Sequence, residues 1–166
     1  MLKFKGGCDI IERYMRKFME EAILEAKKAE EINEVPIGAV VVRDGEIIGR
    51  GYNLTESSSD PTMHAEMIAI REATKSIGYS RLYGCTLYVT CEPCTMCAGA
   101  IVLARLKKVV IGTMDAKTGA CGSIYNLLQQ ERLNHQVEIE TGVLAETCST
   151  MRTDFFKGLR KRKSEE

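Results

Sequence analysis

The sequence has 166 residues, of which 45% are hydrophobic and 28% charged, with equal numbers of acidic and basic side chains. This length and composition predict a single globular domain over 1–166, large enough to bury a core without disulfides. A net charge of zero excludes a globally basic nucleic-acid binder. No run approaches the roughly 18 apolar residues of a membrane span, and residues 1–8 lack the apolar region of a signal peptide, so we expect a cytoplasmic protein without a membrane partner.

The charge is unevenly distributed along the chain. Residues 1–100 carry a net charge of −3 and residues 101–166 a net charge of +3, with most of the excess cations between Arg152 and Lys163. Any contact with RNA is therefore expected to be a local patch.

The first half of the chain predicts a helix, a hairpin and a second helix. Apolar residues at helical spacing favour an amphipathic helix over about 10–32, and they are Ile11, Tyr14, Met15, Phe18, Ala22, Ala26 and Ala29. Two β-rich runs flank Asp44-Gly45, a pair typical of tight hairpin turns. The polar stretch 55–60 is predicted to be a loop. Asp60-Pro61-Thr62 is predicted to start a helix, whose pattern continues over 65–77 and ends at Gly78.

The second half alternates strands and helices. We predict strands over 86–90 and 107–112, a weaker strand over 137–142, and helices over 94–104, directly after Pro93, and over 145 to about 161. The last helix carries Leu144, Cys148, Met151, Phe155 and Leu159 on one side. This alternation indicates an α/β fold with a sheet covered on both faces.

The strongest chemical signal is His64-Ala-Glu66 combined with Cys94-Thr-Met-Cys97, which begins 28 residues after Glu66. Imidazole and thiolate are the ligands that zinc prefers, and three protein ligands leave the fourth position open for water, as in catalytic sites. The only other histidine, His135, lies in no matching motif. We therefore predict one catalytic Zn²⁺ per chain, held by His64, Cys94 and Cys97, with the remaining cysteines reduced.

Placement supports a catalytic site. Pro61 and Pro93 precede the two predicted helices, so both helix N-termini should face the metal and favour negative charge there. Glu66 is poorly placed to be a fourth ligand, but a carboxylate beside the site can take a proton from water and pass it on. A redox Cys-x-x-Cys, a structural zinc site and a surface helix cap are the alternatives, and Cys85 with Cys91 is a poor second cysteine pair.

His-Ala-Glu with Pro-Cys-x-x-Cys resembles the signature of the cytidine deaminase-like zinc deaminases. Further segments are similar to the bacterial tRNA-specific adenosine deaminases: Glu34-Val-Pro-Ile-Gly-Ala-Val, Asp60-Pro-Thr-Met-His-Ala-Glu, Cys91-Glu-Pro-Cys-Thr-Met-Cys-Ala-Gly-Ala, Asp115-Ala-Lys-Thr-Gly-Ala and Asp154-Phe-Phe-Lys-Gly-Leu-Arg. The resemblance covers nearly the whole chain. One departure is Cys91, because these enzymes more often have a larger apolar residue there and some guanine deaminases have Cys.

The resemblance implies a three-layer α/β/α sandwich with a five-stranded mixed sheet, and a homodimer. It implies deamination of adenosine to inosine at the wobble position of a tRNA anticodon stem-loop, with Glu66 carrying protons to N1 and to the departing ammonia. Matched positions imply that Val35 lines the base pocket and that Asn53 bonds the base or sugar. The matched positions for flanking nucleotides are Asp115, Lys117, Asn134, Phe156 and Arg160.

Two alternatives remain open from the sequence. One is a guanine, cytosine or cytidine deaminase of the same superfamily. The other is a zinc-stapled RNA-binding module without turnover, although a purely structural site has no use for Glu66. The cationic side chains of residues 160–163 have an alternative to binding RNA phosphates: they are also typical of a solvent-exposed helix C-terminus.

Overall fold

The computed structural model describes residues 6–166, and its centre is one five-stranded sheet in the order β2-β1-β3-β4-β5. The strands are β1 (Gly38–Arg43), β2 (Glu46–Tyr52), β3 (Thr86–Cys91), β4 (Lys108–Thr113) and β5 (Glu138–Thr141). β1 is antiparallel to β2 and β3, whereas β3, β4 and β5 run parallel. The predicted mixed sheet is confirmed.

Helices cover both faces of this sheet. They are α1 (Gly6–Glu31), the short α2 (Thr55–Ser58), α3 (Ala65–Ile77), α4 (Thr95–Leu103) and α5 (Ala145–Glu165), with a 3-10 turn at Leu127–Gln129. Side chains from α1 and α5 pack with Val40, Val42 and Tyr88 on one face. Side chains from α3 and α4 pack with the alternate strand residues, such as Val41 and Val89, on the other. The predicted three-layer α/β/α sandwich is therefore confirmed.

The hairpin turn has the predicted geometry. Asp44 and Gly45 both have positive φ, 49° and 79°, as a primed turn requires. Gly49 of β2 lets α3 lie directly on the strand, because a methyl group there would overlap the carbonyl oxygen of Ala69. The absence of a side chain at this position sets the close distance between sheet and helix.

Two expectations about local structure are wrong. Residues 55–58 form the helix α2 and not a loop, because the Leu54 carbonyl accepts bonds from both Ser58 N–H and its hydroxyl, and the Glu34 carboxylate accepts the Ser57 N–H. The helical pattern puts Ile11 and Tyr14 on the buried face of α1, but they are 60% and 45% exposed. Burial begins at Phe18, against which Tyr14 packs edge-on.

Helix α1 already includes Gly6, four residues before its predicted start, and Met1–Lys5 lie outside the described residues. No helix in the described part of the chain is both long enough and apolar enough to cross a membrane.

Candidate active site and metal centre

His64 and Cys94 each stand immediately before the first residue of a helix. His64 is the N-cap of α3 and Cys94 is the N-cap of α4, both with extended backbone. The Asp60 carboxylate accepts the Thr62 N–H and hydroxyl, and this turn delays the helix start to Ala65, later than Asp60-Pro61 suggested. Both helix N-termini therefore converge on one point, where unpaired N–H groups favour anionic ligands.

The structure brings three metal-type side chains together at this point. The Nδ1 atom of His64 lies 3.6 Å from Sγ of Cys94 and 3.5 Å from Sγ of Cys97. The three ligand atoms lie within 4.8 Å of one another. Tetrahedral zinc with Zn–S near 2.3 Å and Zn–N near 2.0–2.1 Å places nitrogen and sulfur ligands about 3.5 Å apart. The spacing therefore fits a zinc ion.

The two thiols have opposite protonation tendencies. A hydrogen bond from Cys97 lowers the pKa of Cys94 to about 4, whereas the same contact and burial raise the pKa of Cys97. The hydrogen bond with Cys94 raises the pKa of His64. Cys94 thus has thiolate character, which is the form of cysteine that binds zinc.

Glu66 lies in the first turn of α3, only 3% exposed. Burial raises the pKa of its carboxyl to about 7, and its carboxylate interacts with the Cys97 thiol. It does not belong to the cluster of metal-type ligand atoms. A buried carboxyl with a pKa near neutrality can both accept and donate a proton, which is what general acid–base work needs.

A groove opens between the loop after β4 and helix α5. It is lined by Met114, Asp115, Ala116, Lys117, Thr118, Arg152, Thr153, Phe156 and Arg160. Lys117 and Arg160 are exposed, and Phe156 is half-buried against Phe155, at a centroid distance of 5.5 Å. The groove therefore offers cations and an aromatic ring on one surface, as proteins that bind single-stranded nucleic acid do.

Comparison with known proteins identifies the family. Residues 13–113 match the model for the cytidine and deoxycytidylate deaminase zinc-binding region. A tRNA-specific adenosine deaminase of Bacillus subtilis (strain 168) is 58% identical over 88% of this chain and 91% of its own length. Its counterpart in Haemophilus influenzae is 50% identical over 95% of this chain and 91% of its own length. The chain belongs to the tRNA-specific adenosine deaminase family.

Solved structures agree with this assignment. A chain from a study of A-to-I editing by tRNA:A34 deaminases at the wobble position of transfer RNA superposes with a TM-score of 0.78 at 43% identity, covering 81% of this chain and 98% of that one. Guanine deaminase from Nitrosomonas europaea has a TM-score of 0.74 over 84% of this chain and 83% of that one, but only 19% identity, so it shows the shared fold alone.

Membership makes this chain a zinc-dependent hydrolytic deaminase, and the alternative of an RNA-binding module without turnover is set aside. The matched region contains the His64, Glu66, Cys94 and Cys97 positions but ends at Thr113, before the groove begins.

Val35 and Asn53 lie on two segments that are joined by backbone hydrogen bonds. Asn53 is 6% exposed, and its N–H donates to the carbonyl of Ile37, two residues from Val35. The next residue, Leu54, donates its N–H to the Met63 carbonyl, beside His64. The segment that carries Asn53 is thus bonded directly beside the metal centre, and the segment that carries Val35 is bonded to it through Ile37.

The five residues predicted to contact RNA are not all in one place. Asp115, Lys117, Phe156 and Arg160 line the groove, but Asn134 lies outside it, exposed, with its amide oxygen accepting a bond from Arg105. The Asp115 carboxylate is occupied within the protein, by the Lys117 N–H, the Thr118 hydroxyl and the Arg152 guanidinium. His135 bonds the Leu106 carbonyl and is not one of the clustered metal-type side chains.

Sequence reasoning missed two residues near the site. Glu92 is 3% exposed and accepts hydrogen bonds from the loop that follows β4. Arg152 lines the groove and pairs with Asp115 at 3.3 Å. In the sequence, Glu92 is marked only as a charged residue beside Pro93, and Arg152 only as a cation on the inner side of a helix. Neither residue has a motif of its own.

Proposed function

We propose that this enzyme converts adenosine to inosine at the wobble position of a tRNA, and that it binds the anticodon stem-loop. The similar proteins named above support the substrate, and a groove with two exposed cations and an aromatic ring supports RNA binding. The observation that carries the chemistry is the buried Glu66 beside three converging metal-type side chains. The product follows from replacement of the amine at C6 by the oxygen of water, with release of ammonia.

His64, Cys94 and Cys97 are proposed as the ligands of one zinc ion, which supplies Lewis-acid activation of water when bound. Glu66 is proposed as the proton carrier. It takes a proton from the attacking water, delivers it to N1 of adenine, and then moves the second proton to the departing amine. A carboxyl held near neutrality by burial is suited to both directions of transfer.

The remaining predicted residues divide by distance from the metal centre. Val35 and Asn53 are proposed to hold the flipped base. Lys117 and Arg160 are proposed to contact phosphates and Phe156 to stack on a neighbouring base. Asp115 is proposed to act through the shape of its loop, because its carboxylate is already bonded internally. Asn134 remains a predicted contact for a separate part of the RNA.

Three wider features are also proposed. The whole chain is one deaminase domain, since α5, which lies beyond the matched region, packs on β3 and β4 of the same sheet. The enzyme is a homodimer, for which the exposed apolar side chains of Leu103, Ile124 and Tyr125 offer a surface. We expect the enzyme in the cytoplasm, because its proposed substrate is a tRNA.

The substrate is tested by presenting several adenine- and guanine-containing molecules to zinc-loaded enzyme. An anticodon stem-loop with adenosine at the wobble position should yield inosine, whereas the same stem-loop with that adenosine moved into the stem should not. Free adenosine and free guanine are offered as alternative substrates, and deamination of each is measured by the release of ammonia. Ammonia from guanine without inosine in the stem-loop would overturn the proposal and favour a free-base deaminase.

A further inference from the structure

Glu92 is a buried carboxylate between β3 and α4 that bonds one loop only. Its Oε2 accepts the Asp115 N–H at 2.8 Å and the Ser123 hydroxyl, and its Oε1 accepts the N–H groups of Cys121 and Ser123 at 3.1 and 2.9 Å. In the described part of the chain, no Lys or Arg forms an ion pair with it. Hydrogen bonds to the carboxylate oxygens therefore compensate its burial.

The loop over residues 115–123, here the 115–123 loop, folds closely around this carboxylate. A methyl group on Gly119 would overlap Oε2 of Glu92, so only glycine allows the approach. Gly119 also pairs with Cys94, and Ala120 donates its N–H to the Pro93 carbonyl at 2.9 Å. The 115–123 loop thus contacts the start of the helix whose N-cap is Cys94.

The first residues of the same loop line the groove. The backbone N–H of Asp115 is bonded by Glu92, while its carboxylate is bonded by Lys117, Thr118 and Arg152. Asp115 is therefore held from the metal side by Glu92 and from the α5 side by Arg152. Lys117 follows Asp115 by two residues, so its position in the groove depends on the hydrogen bonds that hold Asp115.

We propose that Glu92 is a positioning residue for the RNA substrate. Its carboxylate fixes the 115–123 loop against the start of α4, and so fixes the distance between the groove and the metal centre. This role rests on the proposed function. One RNA must occupy the groove and the metal centre at the same time, so a shift of about 1 Å between the two sites lowers the rate or the affinity.

The test compares Glu92→Gln with Glu25→Gln. A glutamine amide at position 92 offers one acceptor oxygen where the loop needs two, so either orientation leaves N–H groups facing an NH₂. Glu25 is a matched control, 2% exposed and bonded to Lys28 and Arg50 on α1 and β2. Zinc content, kcat and KM for the stem-loop, and amide hydrogen exchange of residues 115–123 are measured for both.

Glu92→Gln should keep its zinc, raise KM by about tenfold or more, change kcat less than about threefold, and speed exchange in the 115–123 loop. Glu25→Gln should leave KM and the loop's exchange unchanged. Ser123→Ala removes one exposed hydroxyl donor to Glu92, so it should change KM and the loop's exchange in the same direction but by less. This variant provides the test if Glu92→Gln does not fold.

Unchanged KM and unchanged loop exchange in Glu92→Gln, or equal effects in Glu25→Gln, would overturn the inference. Failure of the wild-type enzyme to convert the stem-loop would instead overturn the proposed function. In that case hydrogen exchange alone decides whether Glu92 holds the loop.

Discussion

At the scale of single residues, the metal centre depends on three side chains whose ligand atoms lie at the separations that zinc requires. The 3.5 and 3.6 Å separations between His64 and the two sulfur atoms already match those around tetrahedral zinc. This agreement supports His64, Cys94 and Cys97 as the ligands of one zinc ion.

Four cysteines outside the metal centre, Cys85, Cys91, Cys121 and Cys148, are buried and have raised pKa values. Burial raises the pKa of Cys91 to about 12 and that of Cys148 to about 11, and it also raises the pKa values of Cys85 and Cys121. At pH 8 a thiol with a pKa near 12 is thiolate in only about one molecule in ten thousand, so it reacts slowly with alkylating reagents.

Alkylation with iodoacetamide, followed by mass spectrometry of each peptide, should therefore leave Cys85, Cys91, Cys121 and Cys148 unmodified in the folded protein. Cys94, which is only half-buried and has a lowered pKa, should be protected while zinc is bound and become modified after chelation. Urea-unfolded protein, in which every one of these thiols reacts, is the control. Rapid modification of Cys91 in the zinc-loaded protein would contradict its burial.

The motif residues could be predicted from the sequence because their chemistry is local. His64, Glu66, Cys94 and Cys97 lie at helix starts marked by nearby prolines. Glu92 could not be predicted in the same way, because three of its four donors are backbone N–H groups, which every sequence has. Only the folded path of the 115–123 loop reveals them.

At the scale of elements, β2 packs closely against the middle of α3, the helix that begins directly after His64. A methyl group on Gly49 would overlap the Ala69 carbonyl oxygen and would lie 2.7 Å from the Ala73 nitrogen. The Gly49→Ala substitution should lower the free energy of unfolding by about 1–3 kcal/mol, because backbone must shift to accept it.

Gly158→Ala is the control for that measurement. Gly158 lies inside α5 with nothing within 4 Å of the added methyl, so alanine should raise stability by roughly 0.5–1 kcal/mol through helix propensity. Urea unfolding of zinc-loaded protein gives both values. Equal effects of the two substitutions would mean that α3 can move away from β2 at no cost.

Helix α5 carries the cations that face the groove. Replacing Arg160 and Lys161 with Ala should weaken binding of the stem-loop and reduce the slope of log affinity against log salt by about 0.7 for each phosphate that is no longer neutralised. Lys27→Ala with Lys75→Ala removes the same charge from α1 and α3, away from the groove residues, and should leave the slope unchanged. An unchanged slope in the α5 variant would mean that these cations are only a solvated helix end.

Element prediction failed where tertiary contacts decide. Four residues are too few for periodicity to reveal α2, whose Ser57 N–H is bonded by Glu34 from another segment. Periodicity extended the buried face of α1 to Ile11 and Tyr14, since a helical pattern does not show where the underlying sheet ends. Longer elements such as β3 and α4 are predicted to within one residue, because their patterns come from burial against the sheet.

At the scale of the whole molecule, the sheet order brings chemistry from distant parts of the chain to one edge. β3 lies at the centre, and its C-terminal end leads to Glu92, Pro93 and Cys94, while the parallel neighbour β4 ends beside it and leads into the 115–123 loop. The parallel pairing of these strands is what places the groove next to the metal centre.

The central claim is that Glu66 moves the protons of a zinc-dependent deamination of adenosine in RNA. Its most direct test is inosine formation in an anticodon stem-loop with adenosine at the wobble position, by the wild-type enzyme and the Glu66→Ala variant, with the zinc content of each measured. The wild type should form inosine, and the variant should bind as much zinc but lose at least about a hundredfold in rate. Inosine formation by the variant at the wild-type rate, or loss of its zinc, would contradict the role assigned to Glu66.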